Sequence, residues 1–353
     1  MNDLPTNPEI AIPATTKLPR NKFFWVIWVL IAIGFWAVVA HFNDIKNIIT
    51  ITGQGNWRLV GIAAFLQCCS YFLYAAVYQQ AFAAVGIHSR IWQNLAVYLE
   101  SLLPSIIIPA GNVAFFLRSV RKTEQSTTSG VAALLFVRIA DLLSFCILFF
   151  IGLAYSAFSQ QLQGFEIISA EILLVISLIS IGGLLLSAYR PIILEVILHW
   201  LGRIINFFTT MISQKSSIAD DWASRNANTF SQAVRDLIAH RQETRATVLL
   251  ALGTHVLDLL TVFLLFLAFR QSIGIGSLLV GFVIGLFFAL VPITPQGVGT
   301  VEGAMILAYS HLGVSAGAAT VVTVAFRGLS FWFPAIIGFI LIQGRALLRL
   351  RSS

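Results

Sequence analysis

Charged side chains stand inside segments of this chain that are otherwise apolar. Arg138 and Asp141 lie three residues apart in one apolar run, and His255 and Asp258 repeat that spacing in another. Two side chains at this separation share one face of a helix. Charges inside membrane-spanning helices are costly and usually face the protein interior or a water-filled cavity. The two pairs are therefore candidates for a polar binding site, and internal ion pairing that only fixes helix packing is the alternative.

A glycine-rich interruption near the C-terminus carries two more charged residues. Glu302 follows Gly297 and Gly299, and Arg327 lies in the next apolar segment. The planar guanidinium of arginine can bond two phosphate oxygens at once. The start of a helix after the break would add backbone N–H donors for the same anion. We therefore predict a phosphate-binding role here, with first-turn stabilisation of a helix as the alternative for Glu302.

An earlier part of the chain repeats this arrangement. Pro109 and Gly111 interrupt an apolar region, and a helix start near Gly111 would again offer backbone donors. Arg138 follows Gly111 at nearly the same separation at which Arg327 follows Gly299. Two such units, entering the membrane from opposite sides, form an inverted-topology repeat, which in transporters places the site between the halves near the midplane.

The composition shows what must position these residues. Of 353 residues, 58% are hydrophobic and 10% are charged, whereas a soluble domain has about 25% charged residues. The bilayer must therefore act as the solvent, and we expect an all-α polytopic membrane protein with no folded soluble domain. Six segments are long and apolar enough to span: 23–42, 57–84, 129–154, 167–189, 247–269 and 316–342.

Two other apolar regions are interrupted and behave differently. Residues 91–118 contain Pro104, Pro109 and Gly111, and residues 277–313 contain the break around Gly297. Crossing the bilayer twice would take about 40 residues, so the first region is too short for that. Each region is predicted to be a broken, re-entrant helical hairpin that is buried in protein or lines a cavity.

The distribution of basic residues predicts the orientation. With both termini in the cytoplasm and both hairpins re-entrant, only Lys46, Arg58 and Arg270 fall outside, as the positive-inside rule expects for a multi-pass protein of the cell (inner) membrane. The expected organisation is as follows: a flexible cytoplasmic tail, 1–22; a single transmembrane domain, 23–346, with repeat A at about 57–154, a cytoplasmic amphipathic segment at 190–246 and repeat B at about 247–342; and a basic tail, 347–353.

The cytoplasmic segment contains an amphipathic stretch at 229–245. Its apolar face is formed by Phe230, Ala233, Val234, Leu237 and Ile238. Such a face can lie on the membrane surface or pack against the cytoplasmic side of the protein's own helices. Amphipathicity does not name the partner, so both interpretations stay open.

The break near the C-terminus resembles a family signature. Residues 292–303, PITPQGVGTVEG, followed by Arg327, Trp332 and Pro334, are similar to the C-terminal motif of the lysylphosphatidylglycerol synthase transmembrane-region family. This family includes the membrane part of the bacterial multiple peptide resistance factor. The resemblance extends over about 23–342.

The first repeat matches the family less closely. Matching positions are Pro109, Gly111, Arg118, Arg138 and Asp141. Residues 112–114 read Asn-Val-Ala where the family often has glycine and an acidic residue, and Val137 stands where an acidic residue often precedes the arginine. Acidic chemistry at those positions of the first repeat is therefore not expected.

The resemblance implies translocation of lipid across the bilayer. The cytosolic aminoacyl-transferase domain is absent, so synthase activity is not expected and the chain is expected to be a transporter rather than an enzyme. A phospholipid or lipid-linked headgroup would occupy a polar cavity between two inverted halves. Arg138 and Arg327 would hold its phosphate. Asp141, Asp258 and Glu302 would balance these charges or meet a cationic headgroup.

The sequence leaves other classes of function open. His255 and Asp258 could ligate a metal, but the sequence places no third His or Cys ligand nearby, so no metal or cofactor is expected. A lipid-linked glycosyltransferase could use Asp44, just outside the first span, although no long outer loop exists to recognise a sugar. A non-catalytic scaffold could recruit a separately encoded lipid-modifying enzyme through 190–246. The basic residues form no nucleic-acid stripe, and the sequence sets no oligomeric state.

Overall fold

The computed structural model describes residues 45–107, 115–117, 119–120, 127–158, a few positions between 175 and 186, 222–290 and 294–352. Every regular element within these residues is helical. The helices, in chain order, are α1 (Ile45–Gly53), α2 (Trp57–Ala84), α3 (Ile91–Ile107), α4 (Thr127–Phe158), α5 (Trp222–Ala239), α6 (Arg241–Ala268), α7 (Ile275–Leu290), α8 (Thr300–His311), α9 (Ala316–Arg327) and α10 (Phe333–Ser352).

Four parts of this helical structure are long and apolar enough to cross a membrane. They are Trp57–Ala84, Thr128–Gly152, Arg241–Ala268 and Ala316–Gly344. Four of the six predicted spans correspond to these helices. The predicted span at 23–42 lies outside the described residues, and so does most of the one at 167–189. The described part of the chain is thus all-helical, and its four candidate spans are those of a multi-pass membrane protein.

Helices α2 and α6 form the centre of the fold as a long antiparallel pair. The side chain of Asn56 caps α2 by accepting the Arg58 N–H at 3.1 Å. The backbone N–H of Asn56 donates to the carbonyl of Ala268 at 2.7 Å, so the first turn of α2 meets the last turn of α6. Further along, the missing side chain of Gly253 makes room for Leu73.

The predicted interruption at Pro104 is wrong. Helix α3 continues through this proline to Ile107. Proline removes one backbone hydrogen bond, and serine hydroxyls and neighbouring helices can compensate for that loss inside a membrane. Here helix α10 packs closely, with Gly338 against the backbone of Leu99 and Glu100, while the hydroxyls of Ser101 and Ser105 donate to the carbonyls of Tyr98 and Ser101 rather than to the carbonyl four residues before Pro104. Pro109 and Gly111, the remaining parts of the first predicted break, lie outside the described residues.

The second predicted break is seen as a helical hairpin. Helices α7 and α8 pack side by side, with Gly281 against the ring of Tyr309 and Gly285 against Met305. These contacts run in opposite directions along the chain, so the two helices are antiparallel. Tyr309 Oη also donates to the carbonyl of Leu278 at 3.3 Å. The turn between the helices contains the glycines of the motif.

The last predicted span, 316–342, is two helices joined by one wide turn. A π-helical turn, Gly328–Trp332, follows directly after Arg327 and joins α9 to α10. Wide turns of this kind concentrate at functional sites in helices. Beyond it, Gly338 lies against the backbone of Leu99 in α3, so α10 and α3 cross in close contact.

The amphipathic helix α5 packs on the protein's own bundle. Phe230, Ala233 and Val234 are buried and form a cluster with Ala132 of α4. Ile238, also expected on this face, is 37% exposed. For residues 222–239 the structure therefore favours bundle packing over the membrane surface. The rest of the predicted cytoplasmic segment before residue 222 is outside the described residues.

Candidate functional site

A buried carboxylate anchors a polar cluster where α2 and α6 meet. Asp258 Oδ1 accepts hydrogen bonds from Gln67 Nε2 at 2.9 Å and from Ser70 Oγ at 2.8 Å. Both donors belong to α2, and all three side chains are buried. Buried charges are tolerated when they are paired and hydrogen-bonded. The two hydrogen bonds to Asp258 therefore fix the register of α2 against α6.

His255 brings the two sequence-predicted carboxylates together. Its Nε2 lies 3.5 Å from Asp141 Oδ1, and its Nδ1 lies 3.7 Å from Asp258 Oδ2. The histidine side chain is 1% exposed. Phe145 packs on its ring at a centroid distance of 4.2 Å, and Tyr74 meets it edge to face at 6.0 Å. The imidazole thus bridges α4 and α6 from inside an aromatic pocket.

Arg138 forms the accessible end of the same cluster. Its Nη1 lies 3.6 Å from Asp141 Oδ2. The side chain of Arg138 is 49% exposed, whereas that of Asp141 is 4% exposed. The hydroxyls of Tyr74, Tyr78 and Tyr98 are close enough to interact with the guanidinium electrostatically. Arg138 is thus half exposed and also close to polar side chains of α2 and α3. Among the charged side chains of this cluster, it is the most exposed.

The geometry does not favour the metal interpretation of His255 and Asp258. Asp141 provides a third donor, but it faces Nε2 of the imidazole while Asp258 faces Nδ1. One ion cannot contact both ring nitrogens, because they point in different directions from the same ring. Within the described part of the chain, no group of three or more His, Cys, Asp or Glu side chains is arranged to hold a metal ion.

Arg327 and Glu302 form a second charged cluster. Arg327 Nε donates to Glu302 Oε1 at 2.7 Å, and its Nη2 donates to the carbonyl of Gln296 at 3.5 Å. The guanidinium also lies over the ring of Phe331, 4.6 Å from the centroid. The side chains of Arg327 and Glu302 keep 10% and 19% of their surface exposed. This arginine therefore ties the turn before α8 to the end of α9.

Glu302 both stabilises the first turn of α8 and balances the charge of an arginine. Its Oε2 accepts the backbone N–H of Gly299 at 2.7 Å, while its Oε1 pairs with Arg327. The turn that precedes it needs left-handed backbone, since Gly297 has φ 68° and Gly299 has φ 84°. Glycine adopts this conformation without steric cost. In this structure the carboxylate of Glu302 occupies the start of α8, where an anionic ligand was expected.

One side chain of α2 connects the two charged clusters. Tyr71 Oη donates to the carbonyl of Leu329 in the π-helical turn that follows Arg327. Its neighbour in the chain, Ser70, belongs to the Asp258 cluster. Helix α2 therefore contacts both the Asp258 cluster and the π-helical turn that follows Arg327.

The structure brings together most of the predicted site residues, in two groups. Arg138, Asp141 and Asp258 meet through His255, whereas Arg327 pairs with Glu302. Gly297 and Gly299 form the turn before Glu302, and Gly111 lies outside the described residues. The sequence analysis missed the partners from α2 and α3: Gln67, Ser70, Tyr74 and Tyr98. Their spacing along otherwise apolar helices is a signal that could have found them.

Comparison with known sequences decides the family. A model of the family described as "Lysylphosphatidylglycerol synthase TM region" matches residues 25–338. The match includes both charged clusters and the glycine-rich turn. The chain belongs to this family. The resemblance inferred from the motif after Pro292 is thereby confirmed.

Archaeal relatives agree with this family. A protein named "UPF0104 membrane protein" from Methanothermobacter thermautotrophicus is 34% identical over 83 residues, which is 24% of this chain and 25% of the relative. One of the same name from Methanocaldococcus jannaschii is 30% identical over 98 residues, 28% of this chain and 29% of the relative. The chain thus matches under a third of the length of these two. A third, from Pyrococcus horikoshii, is 19% identical over 338 residues, 92% of this chain and 98% of the relative.

Proposed function

We propose that this member of the lysylphosphatidylglycerol synthase TM region family is a lipid translocase. It binds the phosphate of a phospholipid or lipid-linked headgroup at a polar site between two helical halves and moves the headgroup across the bilayer. The proposal is for transport, without a catalytic step or a cofactor. The partners it implies are the membrane lipid itself and, where the lipid is modified first, a separately encoded lipid-modifying enzyme.

The observation that carries the proposal is the half-exposed guanidinium of Arg138 within a candidate span. Its partner Asp141 is buried, so the ion pair presents its positive end to the accessible side. Placing an arginine inside a span is expensive, and such residues usually serve substrate or ion pathways. A phosphate is the anion that the planar fork of arginine binds best, through two parallel hydrogen bonds.

Arg327 is the second phosphate ligand in this proposal. In the present conformation it is held by Glu302 and stacked over Phe331, so the headgroup must displace the carboxylate to reach it. Asp141, Asp258 and Glu302 then balance the two arginines when no lipid is bound. The link through Tyr71 supports movement of the headgroup between the two clusters, because it couples α2 to the turn after Arg327.

The two halves are proposed to be an inverted repeat. Helices α2 and α6 are both 28 residues long, and each is followed by a linker of the same length and a shorter apolar helix. They pack antiparallel, with the start of α2 on the end of α6. Near the middle, Ser70 of α2 lies 3.5 Å from the carbonyl of Thr254 in α6. Inverted repeats commonly bind substrate at such an interface.

The location proposed for the protein is the cell (inner) membrane, with both termini in the cytoplasm. This follows from the distribution of basic residues.

The glycosyltransferase alternative rests on Asp44, which lies outside the described residues. The scaffold alternative rests on the segment 190–246, and the apolar face of its described part is covered by the bundle. Lipid translocation uses the charged clusters, which neither alternative requires.

The test is an exchange of arginine for lysine in reconstituted vesicles. We expect Arg138→Lys to lower the rate of flipping of a fluorescent phosphatidylglycerol at least about tenfold, because a point charge does not reproduce the bidentate fork. Flipping is measured by chemical quenching of the outer leaflet. Thermal unfolding in detergent is measured in parallel, to separate transport from folding.

The matched control is Arg90→Lys, on the exposed linker between α2 and α3. This variant should flip lipid at the wild-type rate. Wild-type transport by Arg138→Lys would contradict the proposed role of the guanidinium. Equal losses of thermal stability and transport in Arg138→Lys would instead assign Arg138 to helix packing.

A further inference from the structure

The π-helical turn after Arg327 leaves one backbone carbonyl without a donor from its own helix. The carbonyl of Leu329 would accept from the N–H of Phe333 in a regular helix, or from that of residue 334 in a wide turn. The N–H of Phe333 instead donates to the carbonyl of Gly328, and residue 334 is a proline, which has no N–H. Because backbone groups inside a membrane must be satisfied by the protein, Leu329 needs a donor from another helix.

Tyr71 of α2 supplies this donor. Its hydroxyl donates to the carbonyl of Leu329, and the residue is 6% exposed. Asp258 is close enough to interact with the same hydroxyl electrostatically, and it already accepts hydrogen bonds from Gln67 and Ser70. The single hydrogen of the Tyr71 hydroxyl is thus used by the wide turn.

The packing of α10 on α3 requires this wide turn. A π-helical turn inserts one residue more than a regular α-helix would contain. Without it, α10 would be rotated by about 100° relative to α9, since an α-helix has 3.6 residues per turn. Phe339 would then take the place of Gly338, where even a Cβ atom would overlap the backbone of Leu99.

The same turn carries the aromatic ring that lies beneath Arg327. The centroid of Phe331 is 4.6 Å from the guanidinium, and the ring packs with Leu102 of α3 and Ala335 of α10. We propose that Tyr71 is a positioning residue for the second phosphate ligand. Its hydroxyl stabilises the wide turn and so holds Phe331 and Arg327 in the arrangement that receives the headgroup. This inference rests on the proposed function and adds a residue to its site.

The variant Tyr71→Phe tests this role, because it removes the hydroxyl and keeps the ring. The full-length protein is reconstituted in vesicles that contain increasing mole fractions of fluorescent phosphatidylglycerol, and flipping is measured by quenching of the outer leaflet. The half-saturating mole fraction should rise about three- to tenfold, the factor that corresponds to one net hydrogen bond. The maximal rate should change by less than about twofold, because positioning of Arg327 acts on binding.

The matched control is Tyr309→Phe. Tyr309 is also fully buried, and its hydroxyl also donates to a backbone carbonyl, that of Leu278 at 3.3 Å, but it lies in the α7–α8 hairpin. This variant loses the same kind of hydrogen bond and should keep the half-saturating mole fraction of the wild type. A role of Tyr71 in general stability would give the two variants the same effect on transport.

Two further backgrounds test the separate steps of the inference. Pro334→Ala returns an N–H to residue 334, so Leu329 has a backbone donor whether the turn closes as a regular or a wide one. In this background Tyr71→Phe should lower the unfolding temperature by less than half of its effect in the presence of Pro334. In Arg327→Gln, Tyr71→Phe should no longer change the half-saturating mole fraction, because it acts through this arginine.

The outcomes separate this inference from the proposed function. Equal affinities of Tyr71→Phe and Tyr309→Phe, or a further loss of affinity when Tyr71→Phe is added to Arg327→Gln, overturn the inference and leave lipid translocation intact. An undiminished effect of Tyr71→Phe on stability in Pro334→Ala overturns it as well. If Arg327→Gln does not fold, the comparison of the two tyrosine variants decides. Absence of flipping by the wild type overturns the proposed function and this inference with it.

Discussion

Glu302 shows how one carboxylate serves two partners at the edge of a span. One oxygen caps the first turn of α8 through the Gly299 N–H, and the other pairs with Arg327. Arg327 in turn reaches the carbonyl of Gln296, a residue with φ 55° in the same turn. A lysine could meet the carboxylate but could not hold the carbonyl and lie flat over Phe331 as well.

This arrangement predicts that the pair matters for folding as well as for binding. Glu302→Leu should lower the free energy of unfolding by about 1.5–3 kcal/mol, because a partly buried guanidinium loses its charged partner. Arg327→Gln together with Glu302→Gln should cost less than the two single changes added, since neither charge is then left unpaired. Thermal unfolding in detergent measures each variant.

The control for this pair is Glu243→Gln in the first turn of α6, which should change stability by less than about 1 kcal/mol. Strict additivity of the Arg327 and Glu302 changes would show that the two side chains do not depend on each other.

At the residue scale, the sequence predicted the pairs that lie on one helix. Arg138 with Asp141, and His255 with Asp258, followed from their spacing alone. The contact from His255 to Asp141 could not be predicted, because it depends on how α6 lies against α4. The same applies to Gln67, whose hydrogen bond to Asp258 joins residues far apart in the chain.

Helices α7 and α8 approach each other closely because glycines line their contact. A Cβ atom at Gly281 would overlap the ring of Tyr309, which is fully buried and donates to the carbonyl of Leu278. At Gly303 of α8 a Cβ atom would meet nothing within 4 Å. The α7–α8 hairpin therefore contains one glycine without room for a Cβ atom, Gly281, and one with room for it, Gly303.

We predict opposite effects at these two glycines. Gly281→Ala should destabilise the protein by about 1–3 kcal/mol, because the rigid ring of Tyr309 cannot move aside without strain. Gly303→Ala should be neutral or stabilise by up to about 1 kcal/mol, since alanine favours the helix. Both are measured by thermal unfolding in detergent. Equal stabilities of the two variants would contradict the close α7–α8 packing.

Elements were predicted well where an apolar run has clear ends. Helix α2 begins after its Asn56 cap, as expected from the predicted span 57–84. The sequence failed at Pro104, where the general effect of proline was outweighed by close packing of α3 against Gly338 of α10. It also gave no sign of the π-helical turn after Arg327, because Gly328 and Ser330 are equally compatible with a continuous membrane helix.

The antiparallel packing of α2 and α6 determines on which side of the membrane the linkers next to them lie. The start of α2 and the end of α6 lie at one side, so the linker 85–90 and the start of α6 lie at the other. Helix α7 has 16 residues and is therefore about 24 Å long, less than the bilayer core of about 30 Å. Since α8 packs alongside α7 instead of extending it, the hairpin is expected to return to the side that it entered.

Labelling of single cysteines tests this topology. In a background without Cys68, Cys69 and Cys146, which are free thiols, a membrane-impermeant maleimide is applied to intact cells or to inverted vesicles. His88→Cys precedes α3, Ser272→Cys precedes α7, and His311→Cys ends α8; all three positions are exposed. His88→Cys should be labelled from the cytoplasmic side, since the basic residues predict that orientation.

Ser272→Cys and His311→Cys should both be labelled from outside, because a re-entrant α7–α8 hairpin begins and ends on the same face of the membrane. Labelling of His311→Cys from the cytoplasm would mean that α7 and α8 together cross the bilayer, and the inverted repeat would then fail. Labelling of all three positions from one side would contradict the antiparallel pair itself, because the linkers 85–90 and 269–274 lie at opposite ends of it. The decisive comparison is between Ser272→Cys and His311→Cys, since the positions flank one hairpin and differ only if it spans the membrane.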